Sequence, residues 1–192
     1  TETNMTLLID LSQHSPALMQ RLTVLSESNP NAYLAAGVIR NLVWSSMHAQ
    51  QYQMAGTEID VIFYDADDVQ DIEQVRLTQQ LSQCFPENTW DVVNQALVHQ
   101  WYRTDQGERI APLSSIEHAL SLWPETATAI AVRLLKSETL GDDRLEIIAP
   151  FGLTDLLALK VRWNPTLVSH RTFMARVESK GFLQRWPQLT LV

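Results

Sequence analysis

Three acidic residues, each set in a strand-forming segment, are the part of this sequence best suited to chemistry. Glu58 and Asp60 open a run of β-branched and aromatic residues that continues to Tyr64, a composition typical of a buried strand. Because side chains alternate along a strand, Glu58 and Asp60 are expected on one face, with Cα atoms about 6.5–7 Å apart. Two desolvated carboxylates repel each other. The pair therefore favours a divalent cation such as Mg²⁺, which binds carboxylates together with substrate phosphates.

The third acid, Asp91, lies between Trp90 and Val92 in a second short β-branched segment. If this segment pairs beside the first strand, Asp91 completes a cluster of three carboxylates. We place Asp65 and Asn94 in supporting positions around that cluster. The alternative interpretation is that all of these acids are solvated at strand ends.

A glycine and an arginine precede the acidic strand. Gly37 lies among small residues, which permits close backbone approach to a ligand, and Arg40 follows one helical turn later in a helix expected over about 35–50. An arginine beside such a glycine suits a triphosphate. The alternative for Arg40 is a structural ion pair with Glu58 or Asp65.

The remaining pattern predicts the elements that must hold these residues. Ser15 and Pro16 are typical of a helix start, with residues 1–14 a short lead-in. Further predicted elements are a helix over about 69–84 that buries Val69, Ile72 and Val75, with Leu77 and Leu81 as further candidates for the same side. The pattern also predicts a hairpin of 128–135 with 144–149 and a basic helix over 172–180 ended by Gly181. The mixture without strict alternation predicts an α+β fold, a mixed sheet flanked by helices.

Composition limits the function classes. The chain has 192 residues, 45% of them hydrophobic, and a net charge of −8. This predicts one domain over 1–192, with a core over about 32–163 and a basic helical extension over about 164–192. We favour solvation of that basic end over the alternative that it covers an anionic substrate. A large acidic surface argues against duplex DNA as the ligand. No apolar run is long enough for a membrane span, and the single Cys84 favours a cytoplasmic protein.

These motifs, in this order, resemble the nucleotidyltransferase superfamily, best known from tRNA CCA-adding enzymes and poly(A) polymerases, and more closely a bacterial nucleotidyltransferase-like family of about this length. The matching segments are Ala35–Trp44, Ile59–Asp65, Val93–Ala96, Trp123–Ala127 and Pro150–Leu156. Three positions depart from the superfamily pattern, since Ala36 replaces a glycine, Asn41 an acid and Glu58 an aspartate.

The resemblance implies transfer of an NMP from an NTP to an acceptor hydroxyl, with Mg²⁺ or Mn²⁺ as cofactor. Glu58, Asp60 and Asp91 would be the catalytic and metal-binding residues. Gly37, Arg40 and Asn41 would bind the nucleotide. The acceptor stays open between a small molecule, an RNA end and a protein.

Two other function classes stay open beside this one. One is a relative without catalytic activity that binds a nucleotide or a protein partner, which the changes at Ala36 and Glu58 favour. The other is a metal-independent glycosidase that uses Glu58 and Asp91 as its two carboxyl groups.

Overall fold

The computed structural model of the protein describes residues 2–192. Its helices are α1 (Glu2–Gln13), α2 (Pro16–Ser28), α3 (Gly37–Met47), α4 (Ile72–Cys84), α5 (Ile116–Leu120), α6 (Thr154–Leu157), α7 (His170–Ser179) and α8 (Phe182–Arg185). Its strands are β1 (Tyr33–Ala35), β2 (Glu58–Phe63), β3 (Thr89–Asn94), β4 (Ala131–Leu135), β5 (Arg144–Ile148), β6 (Lys160–Val161) and β7 (Thr190–Leu191). None of the helices in this part of the chain has the length and hydropathy that a membrane span requires.

Five strands form one mixed sheet in the order β3-β2-β1-β4-β5. The β2 and β3 strands run parallel, whereas β1 is antiparallel to both β2 and β4, and β4 forms an antiparallel pair with β5. The predicted mixed sheet flanked by helices is confirmed. The predicted pairing of the hairpin strands, β4 with β5, is also present.

Alternation along β2 separates the two faces of the sheet. Ile59, Val61 and Phe63 are at most 2% exposed and belong to the main hydrophobic core, which also contains buried residues of helices α1 to α4. Glu58 and Asp60 have the opposite parity, so they lie on the other face. That face is only partly covered, which leaves room for a site.

The C-terminal segment packs on α3 through aromatic side chains. The ring of Trp44 lies 5.2 Å from those of both Phe182 and Trp186, in edge-to-face arrangements, and Trp186 Nε1 donates a hydrogen bond to Ser45 Oγ at 3.1 Å. Such pairs contribute beyond the area they bury. They hold α8, and with it the end of α7, against the helix that follows β1.

Two predictions about helices were wrong. Residues 2–13 form α1 rather than a lead-in, and Leu8 is fully buried there. In α4 the buried side chains are Leu77 and Leu81, whereas Val69, Ile72 and Val75 are 52–69% exposed. The helix begins only after Asp71, whose backbone is left-handed (φ 56°), so the three residues do not share a helical face toward the sheet. The predicted cap at Ser15 is confirmed, since its side chain accepts a hydrogen bond from the Leu18 amide.

Candidate functional site

The three acidic residues meet on the partly open face of the sheet. Asp60 and Asp91 are register partners on the parallel strands β2 and β3, so their side chains point the same way. Glu58 lies two residues earlier on the same face. One carboxylate oxygen from each of the three residues lies within 4.8 Å of the others, although Asp60 and Asp91 are 31 positions apart in the sequence.

The negative charges of this cluster favour the binding of a cation. Burial, the negative charges of Asp91 and Glu58 and contact with Asp91 raise the pKa of Asp60 to about 7, against a smaller opposing effect of Lys180. Three carboxylates that repel one another in a half-desolvated site would be stabilised by a divalent ion. Ligands that are all carboxylate oxygens suit Mg²⁺ or Mn²⁺.

The junction between β1 and α3 has unusual backbone geometry. Ala36 has φ 58° and ψ −122°, a conformation that residues with a side chain rarely adopt. Gly37 begins α3, and a Cβ atom at this position would lie 3.2 Å from Arg40 Nη2. The guanidinium packs closely against the backbone here, so a side chain at position 37 would require Arg40 to shift.

Arg40 lies beneath this junction and contacts protein groups. It is 4% exposed; Nη1 donates to Thr128 Oγ1 at 2.9 Å and Nε donates to Asn41 Oδ1 at 3.0 Å. Burial lowers the pKa of Arg40 to about 10 despite the opposing charge of Glu125. The ion-pair partner is Glu125, at 3.9 Å, and not Glu58 or Asp65.

Sequence reasoning missed Glu125 and its second partner, Arg176 of α7. Glu125 is fully buried and accepts hydrogen bonds from Arg176 Nε at 2.8 Å and Nη2 at 3.2 Å and from Thr128 Oγ1 at 2.8 Å. Burial raises the pKa of Glu125, but Arg176 and Arg40 outweigh it, so the pKa lies below its usual range. Two arginines share one carboxylate, which leaves a net positive charge.

Lys180, at the end of α7, extends this positive region toward the carboxylates. Its pKa is lowered by burial and by the charges of Arg176 and Arg40, and it interacts favourably with Glu125 and Asp60. The basic end of the chain thus faces the acidic site through Arg176 and Lys180, rather than only facing solvent as we had favoured. The basic composition of α7 was the only signal in the sequence for this positive region. The groups that α7 contacts lie far from it in the sequence, so no local pattern predicts the contacts.

Asp65 and Asn94 lie at the other end of the two strands. Asn94 accepts a hydrogen bond from the Asp65 amide at 3.0 Å and donates to the Asp65 carbonyl at 2.9 Å. The Asp65 carboxylate accepts from the Asp67 amide at 3.0 Å. Asp65 follows Asp60 by five positions, two of them beyond the end of β2, a distance of about 16 Å along an extended chain. The structure therefore does not bring Asp65 and Asn94 to the carboxylate cluster.

A cavity of about 310 Å³ opens beside the cluster, and Asp60, Asp91 and Arg176 form part of its wall. The site therefore combines a three-carboxylate cluster, a positive region on α3 and α7, and an adjoining cavity. Such a combination can neutralise a polyanionic substrate and hold a second molecule next to it.

Comparisons with known proteins identify the family of the chain. The family described as "Nucleotidyltransferase" matches residues 24–191, whereas no curated protein matches the chain significantly. An NMR structure described as revealing a CCA-adding enzyme head domain is 27% identical, with a TM-score of 0.76 over 96% of this chain and 94% of that one. A tRNA-processing enzyme solved with CTP is 16% identical, with a TM-score of 0.43 over 84% of this chain and 40% of that one.

Proposed function

The chain belongs to the nucleotidyltransferase family, and from that premise we propose that it transfers an NMP from an NTP to an acceptor hydroxyl, with Mg²⁺ or Mn²⁺ as cofactor. The observation that carries the proposal is the convergence of Glu58, Asp60 and Asp91 within 4.8 Å on an accessible face of the sheet. The most buried of the three, Asp60, has its pKa raised to about 7 by burial and by the other two acids, and a divalent cation would relieve that repulsion.

In this proposal Glu58, Asp60 and Asp91 hold the metal and are the catalytic residues. A bound divalent ion would neutralise charge on the triphosphate and make an acceptor hydroxyl easier to deprotonate. The carboxylates also fix the position at which the phosphorus atom is attacked, since most of the rate enhancement in such a reaction comes from positioning and charge neutralisation.

The triphosphate lies, in this proposal, between the β1–α3 junction and α7. Gly37 offers its backbone near the start of α3, and Arg40 and Asn41 support that backbone from beneath. Arg176 and Lys180 add positive charge on the side facing Asp60. The net positive charge of the Arg40–Glu125–Arg176 group supports binding of an anion here.

The proposed reaction is a single displacement at the α-phosphorus of the NTP. The acceptor oxygen forms a bond to the α-phosphorus of the NTP while the bond from that phosphorus to the bridging β-phosphate oxygen breaks. Pyrophosphate leaves, and the proton of the acceptor hydroxyl passes to solvent. The products are an NMP ester of the acceptor and pyrophosphate.

Isothermal calorimetry with each of the four ribonucleoside triphosphates in Mg²⁺ tests this function. Asp60→Asn should weaken Mg²⁺-dependent nucleotide binding at least about tenfold, since loss of even an outer-sphere partner costs that much, while the protein stays folded. Asp67→Asn, a change of the same kind in the exposed loop after β2, serves as the matched control. Equal affinity in wild type and Asp60→Asn would rule out the carboxylate site.

A relative that binds nucleotide without turnover is the second candidate. The strained backbone at Ala36 favours it, because that backbone is expected to hold phosphates. The burial of Arg40 favours it too, because the guanidinium already pairs with Thr128 and Asn41. Release of pyrophosphate from the NTP, measured with a coupled assay in the presence of candidate acceptors, separates the two. Binding with no pyrophosphate release from any acceptor tested would favour the second candidate.

A further inference from the structure

The cavity beside the carboxylates has the dimensions of a small-molecule site. Its volume of about 310 Å³ falls at the lower end of the roughly 300–1,000 Å³ common for ligand pockets. Asp60 and Asp91 lie on its wall, whereas Glu58 is not part of it. An occupant would therefore meet the carboxylate cluster directly, from the β3 side.

The rest of the wall is mainly apolar and aromatic. It includes Val98, Leu113, Leu167, Trp101, Tyr102 and Trp123. Such a surface cannot replace the water around a phosphate group, so the triphosphate is excluded from this apolar part of the cavity and lies at its other end, where Ala36, Thr128 and Arg176 form the wall. Aromatic side chains instead favour a flat or apolar occupant, against which they stack.

One polar side chain in the wall is buried and unused. Gln95 is 5% exposed and lines the cavity, yet its side-chain amide makes no hydrogen bond within residues 2–192. The adjacent Asn94, by contrast, both donates and accepts hydrogen bonds. The Gln95 amide is not among the fully enclosed unpaired groups of this part of the chain, so it stays open to the cavity and is available to pair with a molecule bound there. Gln95 therefore points to an occupant that carries an amide, carbonyl or hydroxyl group.

An RNA end fits this surface poorly. An RNA chain is held mainly through its phosphates by basic side chains, and this chain carries a net charge of −8. The basic residues near the site, Arg176 and Lys180, face Asp60 and Glu125, so the proposed triphosphate already uses them.

We propose that this cavity binds the acceptor, and that the acceptor is a small aromatic or largely apolar molecule. Its hydroxyl group lies at Asp91, where it attacks the α-phosphorus as described above, and a second polar group pairs with Gln95. This inference rests on the proposed function and narrows it to one class of acceptor.

A fluorine NMR titration tests the cavity independently of turnover. The probe is 3-fluoro-4-hydroxybenzamide, which carries a ring, a hydroxyl and an amide. A probe this small should bind with a Kd of about 1–5 mM. Leu167→Trp, which fills the cavity from a loop, should weaken binding at least tenfold. Leu183→Trp, the same change at a half-buried residue outside the cavity, should leave it unchanged.

A comparison of two probes, one with an amide and one without, tests the role of Gln95. Gln95→Leu should weaken binding of 3-fluoro-4-hydroxybenzamide about fivefold, the loss expected for one hydrogen bond. Binding of 2-fluoro-4-isopropylphenol, which has the same size and shape but an apolar group in place of the amide, should not weaken. Equal loss for both probes would overturn the assignment of Gln95.

Affinity for Mg²⁺·NTP, measured on the same proteins, distinguishes failure of the acceptor cavity from failure of the proposed nucleotidyl transfer. Equal nucleotide affinity in wild type and Leu167→Trp, together with loss of the probe, supports an acceptor cavity. Loss of nucleotide affinity in Leu167→Trp would place the nucleoside there and overturn the inference. Absence of probe binding up to 10 mM would also overturn it but leave the proposed function standing. Absence of nucleotide binding in wild type would end both.

Discussion

At the scale of single residues, the charge balance of the site depends on Glu125. This carboxylate is fully buried and accepts hydrogen bonds from Arg176 and Thr128, while Arg40 lies 3.9 Å away. Its ionised form is stabilised by two guanidinium groups, which is why its pKa lies below the usual range although burial acts in the opposite direction. Removal of this one charge leaves two arginines without a counter-ion.

We expect Glu125→Gln to lower the free energy of unfolding by about 2–3 kcal/mol at pH 7, since it breaks a charged hydrogen-bond group. A carboxylate whose pKa is depressed on folding contributes stability above its unfolded pKa, about 4.3, and that contribution is lost as pH falls through the folded pKa. The difference between wild type and variant should therefore be constant above about pH 6 and shrink below about pH 4.5. Urea unfolding at several pH values measures it.

The exposed Glu178 of α7 provides the control for this measurement. Glu178→Gln should change the free energy of unfolding by less than about 0.5 kcal/mol at pH 7, as surface substitutions usually do. A difference between wild type and Glu125→Gln that stays constant from pH 7 to below pH 4 would show that the carboxylate charge contributes no stability.

At the scale of elements, the junction of β1 and α3 connects the sheet to the helix that carries Arg40. The amide of Ala36 donates to the Ile130 carbonyl at 3.0 Å, so the turn is fixed to the loop before β4. The backbone at Ala36, with φ 58° and ψ −122°, costs about 1–3 kcal/mol for a residue with a side chain. The surrounding elements must supply that energy.

We expect Ala36→Gly to raise the free energy of unfolding by about 0.5–1.5 kcal/mol. Relief of the strained conformation should exceed both the loss of one buried methyl group and the greater entropy of glycine in the unfolded chain. The control is Ala175→Gly in the exposed middle of α7, which should lower the free energy of unfolding by about 1 kcal/mol. Thermal and urea unfolding of both variants compare the two, and the same sign for both would contradict the strain at Ala36.

The strands and helices differ in how well the sequence predicts which side chains they bury. Alternation along β2 was enough to place Glu58 and Asp60 on one face, because a strand has a fixed period of two. The exposed Ile72 of α4 was mispredicted because a helical face depends on where the helix begins, and that point follows a left-handed Asp71. The contact of Glu125 with Arg176 joins residues 51 positions apart. No local pattern encodes such a pairing.

At the scale of the whole molecule, charge is distributed unevenly. The chain carries 22 acidic and 14 basic residues, and from residue 160 onward six basic residues accompany one acid. Part of that basic segment, Arg176 and Lys180, faces the acidic site. Two of the six basic residues therefore face the site rather than outward, which leaves fewer positive charges for a long polyanion.

We expect the protein not to bind duplex DNA measurably at 150 mM salt, because affinity for a duplex comes from basic residues that each release counter-ions. Fluorescence anisotropy with a labelled 20-base-pair duplex measures this binding. Protein concentrations up to about 50 µM suffice, because non-specific Kd values fall at roughly 1–100 µM. Mg²⁺·NTP binding by the same preparation is the control for folded, competent protein. The contrary result is a complex whose affinity falls steeply with salt, with a slope near −5 for about five phosphate contacts. That slope would show that the basic C-terminal residues act outward, and it would remove the argument that the positive charge of α7 is reserved for the nucleotide.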